Sequence, residues 1–513
     1  MQHIIGIDIG TTHVKAVVAS TVGKILYEAK AGYPTFNPSQ GYQEQNPDEI
    51  FRAFLKVMAA GIAFIADKST IACISFSAAM HSVIAVDEMG KPLTALITWA
   101  DTRSNKYARQ LKGSAQGKIV YERTGTPVHP MSPLCKIAWI RNELPAVFDK
   151  TFKFVSVKEY IFHQLFGEYI VDYSIASATG LFDIHQLRWC DESLEFAGIT
   201  EGQLSIPVST THILSNLKEN YQQLLKLPAG IPFIIGASDG CLANIGAGAV
   251  LPGELALTIG TSGAARKLSD HIVPDRDQRL FNYILDEKTF LTGGAINNGG
   301  IVIKWFLDVF MDTDLSDDEK MKAILKKAAD VPAGAEGLIF LPYLYGERAP
   351  VWDASAKGVF IGVSSIHKKE HFMRAVLEGI SFSLLQILES LEEKGELVHA
   401  IFANGGFIQS SLWVKILADI LNKKIVVSHA ADASAMGAIF IAMKYLGSLK
   451  DWRDVKSFIE VDEQFDPDPL LHKQYSTNYE IFEHLYGKLK DDFQKIDQIQ
   501  SQEVRKSLSP KEI

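Results

Sequence analysis

The strongest constraint in this sequence is a short pattern that occurs twice. Ile4-Ile5-Gly6-Ile7-Asp8-Ile9-Gly10-Thr11-Thr12-His13-Val14-Lys15 reads as an apolar strand with one carboxylate, a Gly-Thr-Thr turn and a second strand running to Ala19. Leu255-Ala256-Leu257-Thr258-Ile259-Gly260-Thr261-Ser262-Gly263 repeats the strand and the turn, with Thr258 in the place of Asp8. A carboxylate inside an apolar strand is costly to bury unless it is paired or holds a metal. Gly10 lets the backbone turn tightly against a ligand, and the turn's amides and hydroxyls suit phosphate oxygens. Lys15 adds a positive charge nearby. Alone, the first stretch reads equally well as a hairpin with a solvent-facing Asp. The second copy favours a duplicated architecture. Two such turns facing each other would clamp a polyphosphate, with Asp8 holding its metal ion.

A chain of 513 residues exceeds the ~250–300 residues at which single cores stop growing, so more than one domain is expected. A net charge of -9 without a long basic run argues against nucleic acid as a partner. Cys73, Cys135, Cys190 and Cys241 are scattered with no CxxC pair. That spacing predicts reduced thiols and a cytoplasmic protein rather than a disulfide framework or zinc site. The N-terminus enters a strand at once, without the pattern of a signal peptide. No window reaches the ~18 apolar residues of a membrane span. GxxxxGK[ST], a strand-borne GxGxxG and HExxH are all missing from the sequence, so neither a P-loop, a dinucleotide fold nor a zinc protease is indicated.

Taken in order, the chain predicts a third strand around Ile25–Ala31 and a helix from Asn46-Pro47-Asp48-Glu49, with Asn46 as N-cap. Ile71–Phe76 predicts a buried strand ending in Ser77-Ala78-Ala79-Met80-His81-Ser82. Loops at the carboxyl ends of strands are where α/β proteins bind ligands. Ile97–Arg103 brings Trp99, Asp101 and Arg103 together, a mix that suits a polyhydroxylated ligand. His81 reads equally as a satisfied loop histidine, and Asp101 with Arg103 as a structural ion pair or helix cap. Lys158 reads as a surface lysine slightly better than as a ligand. Pro232–Gly240 predicts a strand stopping at Asp239, either a general base or metal ligand, or the cap of the next helix. Gly246 and Gly248 suit a close-packed helix. In the second half, Leu291–Gly300 pairs glycines with Asn297 and Asn298, and Ala400–Gly406 ends a strand in Asn404-Gly405-Gly406. Glycines at that junction leave room for a flat ring such as adenine.

Two long stretches carry a family resemblance. They are Met131-Ser132-Pro133-Leu134-Cys135-Lys136-Ile137-Ala138-Trp139-Ile140-Arg141-Asn142-Glu143, and the run from Gly358 (GVFIGV) through His371-Phe372 to Ala375-Val376-Leu377-Glu378. Through them the chain resembles the FGGY carbohydrate kinases of the actin/hexokinase/Hsp70 ATPase superfamily, from the first hairpin to about residue 445. SFSAAMHSVIAVDE, ITWADTRS, RTGTPVHPMSPL, DYSIASATGL and GERAPVWD look most like the family's gluconate kinases. Its xylulose kinases tend to read SGQMHG where this chain has Ser77-Ala78-Ala79-Met80-His81-Ser82.

The resemblance implies an α/β, two-lobed fold, each lobe on a ribonuclease-H-like core, with ATP and sugar between the lobes. It implies an N-terminal lobe over 1–248, a C-terminal lobe over 249–450 and a polar, helical tail over 451–513. Asp8 would coordinate Mg²⁺ through water, with Asp239 as a second metal contact and the catalytic base. Gly10, Thr11, Thr12 and Lys15, with Gly260, Thr261 and Ser262, would bind the ATP phosphates. Gly405 and Gly406, with Asn298 nearby, would lie at adenosine. Met80, His81, Trp99, Asp101 and Arg103 would join Asp239 at the sugar. The expected reaction is ATP-dependent phosphorylation of D-gluconate to 6-phosphogluconate. The alternatives are another sugar or polyol kinase, such as a xylulose kinase, and a non-catalytic ATP-binding switch. A homodimer is the family-based expectation, without nucleic-acid or membrane partners. Gluconate's carboxylate needs a positive group, for which Arg103, His81, His129 and Lys158 are the candidates.

Overall fold

The computed structural model describes residues 2–312, 314–428 and 432–508, with side chains described to residue 500. The last five residues of the expected helical tail lie outside the described residues. Two compact units emerge. The first holds described residues 2–256, 266–292 and 432–460; the second holds 257–265, 293–428 and 461–508. The units are thus not the contiguous 1–248 and 249–450 segments expected from the resemblance.

The first unit is organised on a six-stranded sheet, ordered Ile213–Leu214, Phe233–Ser238, Ile71–Ala78, His3–Ile9, His13–Ser20, Ile25–Gly32. The first three strands of the chain form an antiparallel meander. The helix Pro47–Phe64 then returns the chain so that Ile71–Ala78 lies parallel to His3–Ile9. This is the arrangement expected of a ribonuclease-H-like core. Asn46 caps that helix as predicted, its side chain accepting from Asp48 N at 2.9 Å. Ile5, Ile7, Ile9, Phe54, Met58, Ile74 and Phe76 fill the core between sheet and helix. Phe233–Ser238 is parallel to Ile71–Ala78 in turn, so three parallel strands share one carboxyl edge.

The helix Ala433–Tyr445 belongs to this unit although it comes late in the chain. It packs on the helix Asp239–Gly246 through glycines. A Cβ on Gly246 would sit 1.8 Å from the carbonyl oxygen of Ala433, and one on Gly437 would sit 2.2 Å from that of Leu242. Only hydrogen at both positions allows this approach, which carries the cap residue Asp432 to the site.

In the second unit, Ala400–Asn404 runs parallel to Lys424–Val427, which pairs antiparallel with Glu463–Phe465. The helices Lys369–Glu392 and Ser411–Leu421 pack on each other. The polar segment after residue 461 is part of this core rather than an appendage. The helix Pro469–Leu508 buries Tyr475 and Phe482, with the Phe482 and Phe382 rings 5.4 Å apart. The Tyr475 hydroxyl accepts from Arg374 Nη2, and Arg374 Nε donates to Glu378 at 2.7 Å.

Phe482→Ala should therefore lower the stability of the second unit by about 3–5 kcal/mol. A urea transition monitored by tryptophan fluorescence checks this; an unshifted midpoint would mark the helix as an appendage.

Candidate active site

The three parallel strands place the acidic residues. Asp8 lies opposite Ser77 in the sheet, and Ser238 lies opposite Ala78. Asp8 and Asp239 therefore stand at the same edge on strands two places apart, a lateral separation of about 10 Å at ordinary strand spacing. Asp8 is buried, at 6% exposure, and Ser77 Oγ donates to its Oδ1 at 2.6 Å. Burial pushes the Asp8 carboxyl up to about 8; Asp432 and Asp239 add to the rise, while Ser77 and Lys15 oppose it. Lys15, opposite Asp8 on the next strand, forms an ion pair with Asp432. Asp432 also caps its helix, accepting from Ser434 N at 3.1 Å and Ala435 N at 3.2 Å.

The Gly10-Thr11-Thr12 turn is held by side chains from three later segments. The Tyr33 hydroxyl donates to the Gly10 carbonyl. Gln45 Nε2 donates to the Thr11 carbonyl at 2.6 Å, and Trp99 Nε1 to Thr11 Oγ1 at 3.1 Å. Trp99 thus ties the expected sugar loop to the expected phosphate turn. Neither Tyr33 nor Gln45 carried a sequence signal, because the turn each one holds lies more than twenty residues earlier in the chain.

Asp101 and Arg103 form the structural ion pair that the sequence left open. Asp101 is fully buried and accepts from the Arg103 guanidinium at 2.7–2.9 Å and from Gln43 N at 2.7 Å. Arg103, its side chain 4% exposed, also pairs with Glu44 at 2.7 Å. Its Cζ lies 3.7 Å from the centroid of Tyr42, with Trp139 on a longer contact. Two carboxylates balance this guanidinium. Lys158 is buried rather than on the surface. Its Nζ donates to Asp172 at 2.7 Å and to the Ala237 carbonyl at 3.3 Å. The sequence reading missed this because the helical stretch around Lys158 gives no sign that its partner comes from residue 172.

His81 adopts a left-handed conformation, φ 65°, in the loop after the central strand. This backbone is uncommon for a side chain with a Cβ and accumulates at functional loops. Its Nδ1 bonds the Ala178 carbonyl at 2.8 Å. A carbonyl only accepts, so Nδ1 carries the proton. Lys136, also buried, donates to the carbonyls of His81 at 2.6 Å and Thr98 at 2.7 Å. It joins the Met80 and Trp99 loops, and burial pushes its ammonium down to about 7. The Met131–Glu143 signature contained Lys136 without revealing this bracing. His129 is buried, with Nδ1 accepting from Met131 N at 3.2 Å.

Asp239 is the first residue of the helix Asp239–Gly246, and Ser238 is its cap. The N-cap reading of Asp239 is thereby removed. Its Oδ1 accepts from Gly240 N at 2.7 Å. Arg266, absent from the sequence reading, lies beside Gly240. A Cβ on that glycine would stand 3.5 Å from Arg266 Nε and 2.8 Å from Met80 Cε.

In the second unit, the Gly260-Thr261-Ser262 turn meets the start of the helix Gly300–Phe310. Gly300 N donates to the Gly260 carbonyl at 2.7 Å, and Ile301 N to the Thr261 carbonyl at 3.2 Å. Gly405 has φ 104°, and a Cβ there would stand 2.4 Å from the Ile259 carbonyl oxygen. Glycine is required both by that angle and by that contact, which puts the Gly405-Gly406 junction beside the turn. Gly260 and Gly406 open onto free space. Asn298 is buried, with its amide donating to the Gly346 carbonyl at 2.7 Å and to Glu347 at 2.9 Å. It fixes the Gly-Glu-Arg loop.

Among the described residues no group of three His, Cys, Asp or Glu side chains has the geometry of a metal cage. A buried carboxylate with two further acids in its field nevertheless fits Mg²⁺, which takes one or two carboxylates and completes its shell with water and phosphate oxygens.

The chain matches the FGGY family of carbohydrate kinases, N-terminal domain, over residues 3–246, and its C-terminal domain over 255–446. It is 41% identical over 501 residues to a gluconokinase of Bacillus subtilis (strain 168), spanning 96% of this chain and 98% of that protein. A xylulose kinase of Staphylococcus epidermidis is 30% identical over 493 residues, spanning 95% of this chain and 97% of that protein. Two solved structures from Lactobacillus acidophilus, a gluconate kinase and a ligand-bound xylulose kinase, each superpose with a TM-score of 0.91 at 34% identity. The first covers 96% of this chain and 99% of its own, the second 97% and 100%.

The raised Asp8 carboxyl sets a pH dependence. Its folded-state value lies above its unfolded one, so the neutral form is favoured on folding and that contribution fades as pH rises towards about 8. In EDTA, the wild-type Tm should fall more between pH 5 and pH 9 than the Tm of Asp8→Asn. Parallel melting curves across that range would refute the burial effect.

Proposed function

The chain belongs to the FGGY family of carbohydrate kinases, and from that premise we propose that it transfers the γ-phosphoryl group of ATP to the terminal hydroxyl of D-gluconate, giving 6-phosphogluconate. It is a phosphotransferase with the two-domain fold of that family and its actin/hexokinase-like architecture. The observation that carries the mechanism is the placement of Asp239, at a strand's carboxyl end on the edge that also bears Asp8. Gluconate is favoured over xylulose by the higher identity to gluconokinase and by the Ser77-Ala78-Ala79-Met80-His81-Ser82 sequence.

Asp239 accepts the proton of the terminal hydroxyl as its oxygen attacks the γ-phosphorus and the bond to the bridging oxygen of ADP breaks. Positioning and charge stabilisation dominate such transfers. The turn at Gly10–Thr12, held by Trp99, Gln45 and Tyr33, offers amides and hydroxyls to phosphate oxygens. In the second unit, the turn at Gly260–Ser262 does the same, and Gly405 and Gly406 take the adenosine. Mg²⁺ held through Asp8, with Asp239 nearby, would supply charge neutralisation at the phosphates. Lys136 and the Asp101–Arg103–Glu44 network keep the sugar loops in place. Consumption of ATP and four free cysteines fit a reducing cytoplasm. No helix among the described residues is long and apolar enough to cross a membrane.

An ADP-release assay with Mg-ATP against gluconate, xylulose, ribulose, glycerol and no sugar tests the reading. Turnover should require gluconate, whereas turnover only with a neutral sugar would overturn the substrate. Asp239→Asn should lower kcat by at least ~10²-fold with ATP binding intact. Near-full turnover by that variant would remove Asp239 as the base.

A further inference from the structure

A sugar acid brings a full negative charge to a site that already holds Asp8, Asp239 and Asp432. Burying that charge requires a cation whose donors are available to it. Four lysines and arginines around the site are engaged elsewhere. Lys15 pairs with Asp432, Arg103 with Asp101 and Glu44, and Lys158 with Asp172. Lys136 is held by the carbonyls of His81 and Thr98.

Arg266 differs from them. It lies on the strand Gly263–Ser269, and its Nε is buried with no hydrogen-bond partner among the described residues. Unpartnered buried donors are rare in folded proteins, and each asks for an explanation. Its place beside the site is fixed by Gly240, where a Cβ would stand 3.5 Å from Arg266 Nε and 2.8 Å from Met80 Cε. Even a Cβ would crowd Met80 there, so Met80 and Arg266 both close on the backbone next in sequence to the proposed base. Burial pulls the guanidinium down, while Asp239, Cys241 and Tyr283 favour its charge. Tyr283 also borders His81, with ring centroids 6.0 Å apart. The cation thus faces the same loop as the expected sugar residues Met80 and His81.

We propose that Arg266 binds the carboxylate of the sugar acid and is the residue by which this site selects an acid over a neutral sugar. The proposal rests on the gluconate reading and names the residue that the substrate's charge requires. Met80 would flank the carbon chain, whose terminal hydroxyl would lie at Asp239. A guanidinium presents paired donors that match a carboxylate's two oxygens, and a lysine at this position would supply charge without that fork.

The test compares D-gluconate with D-gluconamide, its neutral amide of the same length, for the parent, Arg266→Leu and Arg266→Lys. Arg266→Leu should lower kcat/KM for gluconate at least ~30-fold, chiefly through KM. The parent's preference for gluconate over gluconamide should collapse towards parity, and Arg266→Lys should recover part of it. Calorimetric titration with gluconate in the absence of ATP should show the same order. Gluconate kcat/KM kept within about threefold in Arg266→Leu would overturn the proposal. Equal losses on both substrates would also overturn it, by showing that Arg266 acts on Asp239 instead. If Arg266→Leu fails to fold by its melting curve, Arg266→Lys and Arg266→Gln decide by the same ratio. A parent active only on neutral sugars would overturn the gluconate reading and the carboxylate role together. A parent active on gluconate beside an equally active Arg266→Leu would overturn the role alone.

Discussion

The first unit depends on a carboxylate with almost no water around it. Asp8 sits in a strand whose apolar residues are all buried, and the fold gives it one hydroxyl and one nearby ammonium. That ammonium, on Lys15, is already engaged by Asp432. Two further acids raise the cost of ionising Asp8. A protein that needed only stability would place an apolar residue here. An acid held at this point fits the proposed role of receiving a divalent cation carried with a polyphosphate.

The surroundings follow from that requirement. The carboxyl edge must stay rigid while its loops remain open to ligand. Rigidity comes from side chains that bridge segments far apart in sequence. Lys136 holds two loop carbonyls, Trp99 holds the first turn, and Arg103 is fixed between Asp101, Glu44 and the Tyr42 ring. The Lys136 bridge is buried and the other two are partly so; away from water a satisfied hydrogen bond or ion pair is hard to replace and a broken one is expensive. Close approach comes from glycine. The helix pair bearing Asp239 and Asp432 packs through Gly246 and Gly437 at distances no side chain would permit.

The sequence was most legible where a local rule spoke. The strand-turn-strand pattern around Asp8, the Asn46 cap and the strand ending at Asp239 all appear as read. The two long signatures led to the right family. What stayed hidden is what depends on tertiary partners. Lys158 looked like a surface residue because Asp172 and the Ala237 carbonyl are supplied by the fold. Arg266 follows a phosphate turn whose motif drew attention to its glycine and hydroxyls, and only Gly240 and Met80 reveal its place. Residues 266–292 and 432–460 return to the first unit because Asp432 and its helix complete that unit's edge, which no composition boundary marks. The last helix read as a polar tail since its apolar residues are spaced among many charges, yet Tyr475 and Phe482 are core.

On the proposed function, Asp8 is a buried acid held for a metal-bound nucleotide. Ligation by a metal requires the deprotonated carboxylate, so binding should expel the proton that burial retains. Calorimetric titration with Mg-ADP at pH 7, in buffers of different ionisation enthalpy, counts that proton. The wild type should release about one proton more than Asp8→Asn. The same proton count in both proteins, with Mg-ADP bound, would contradict it.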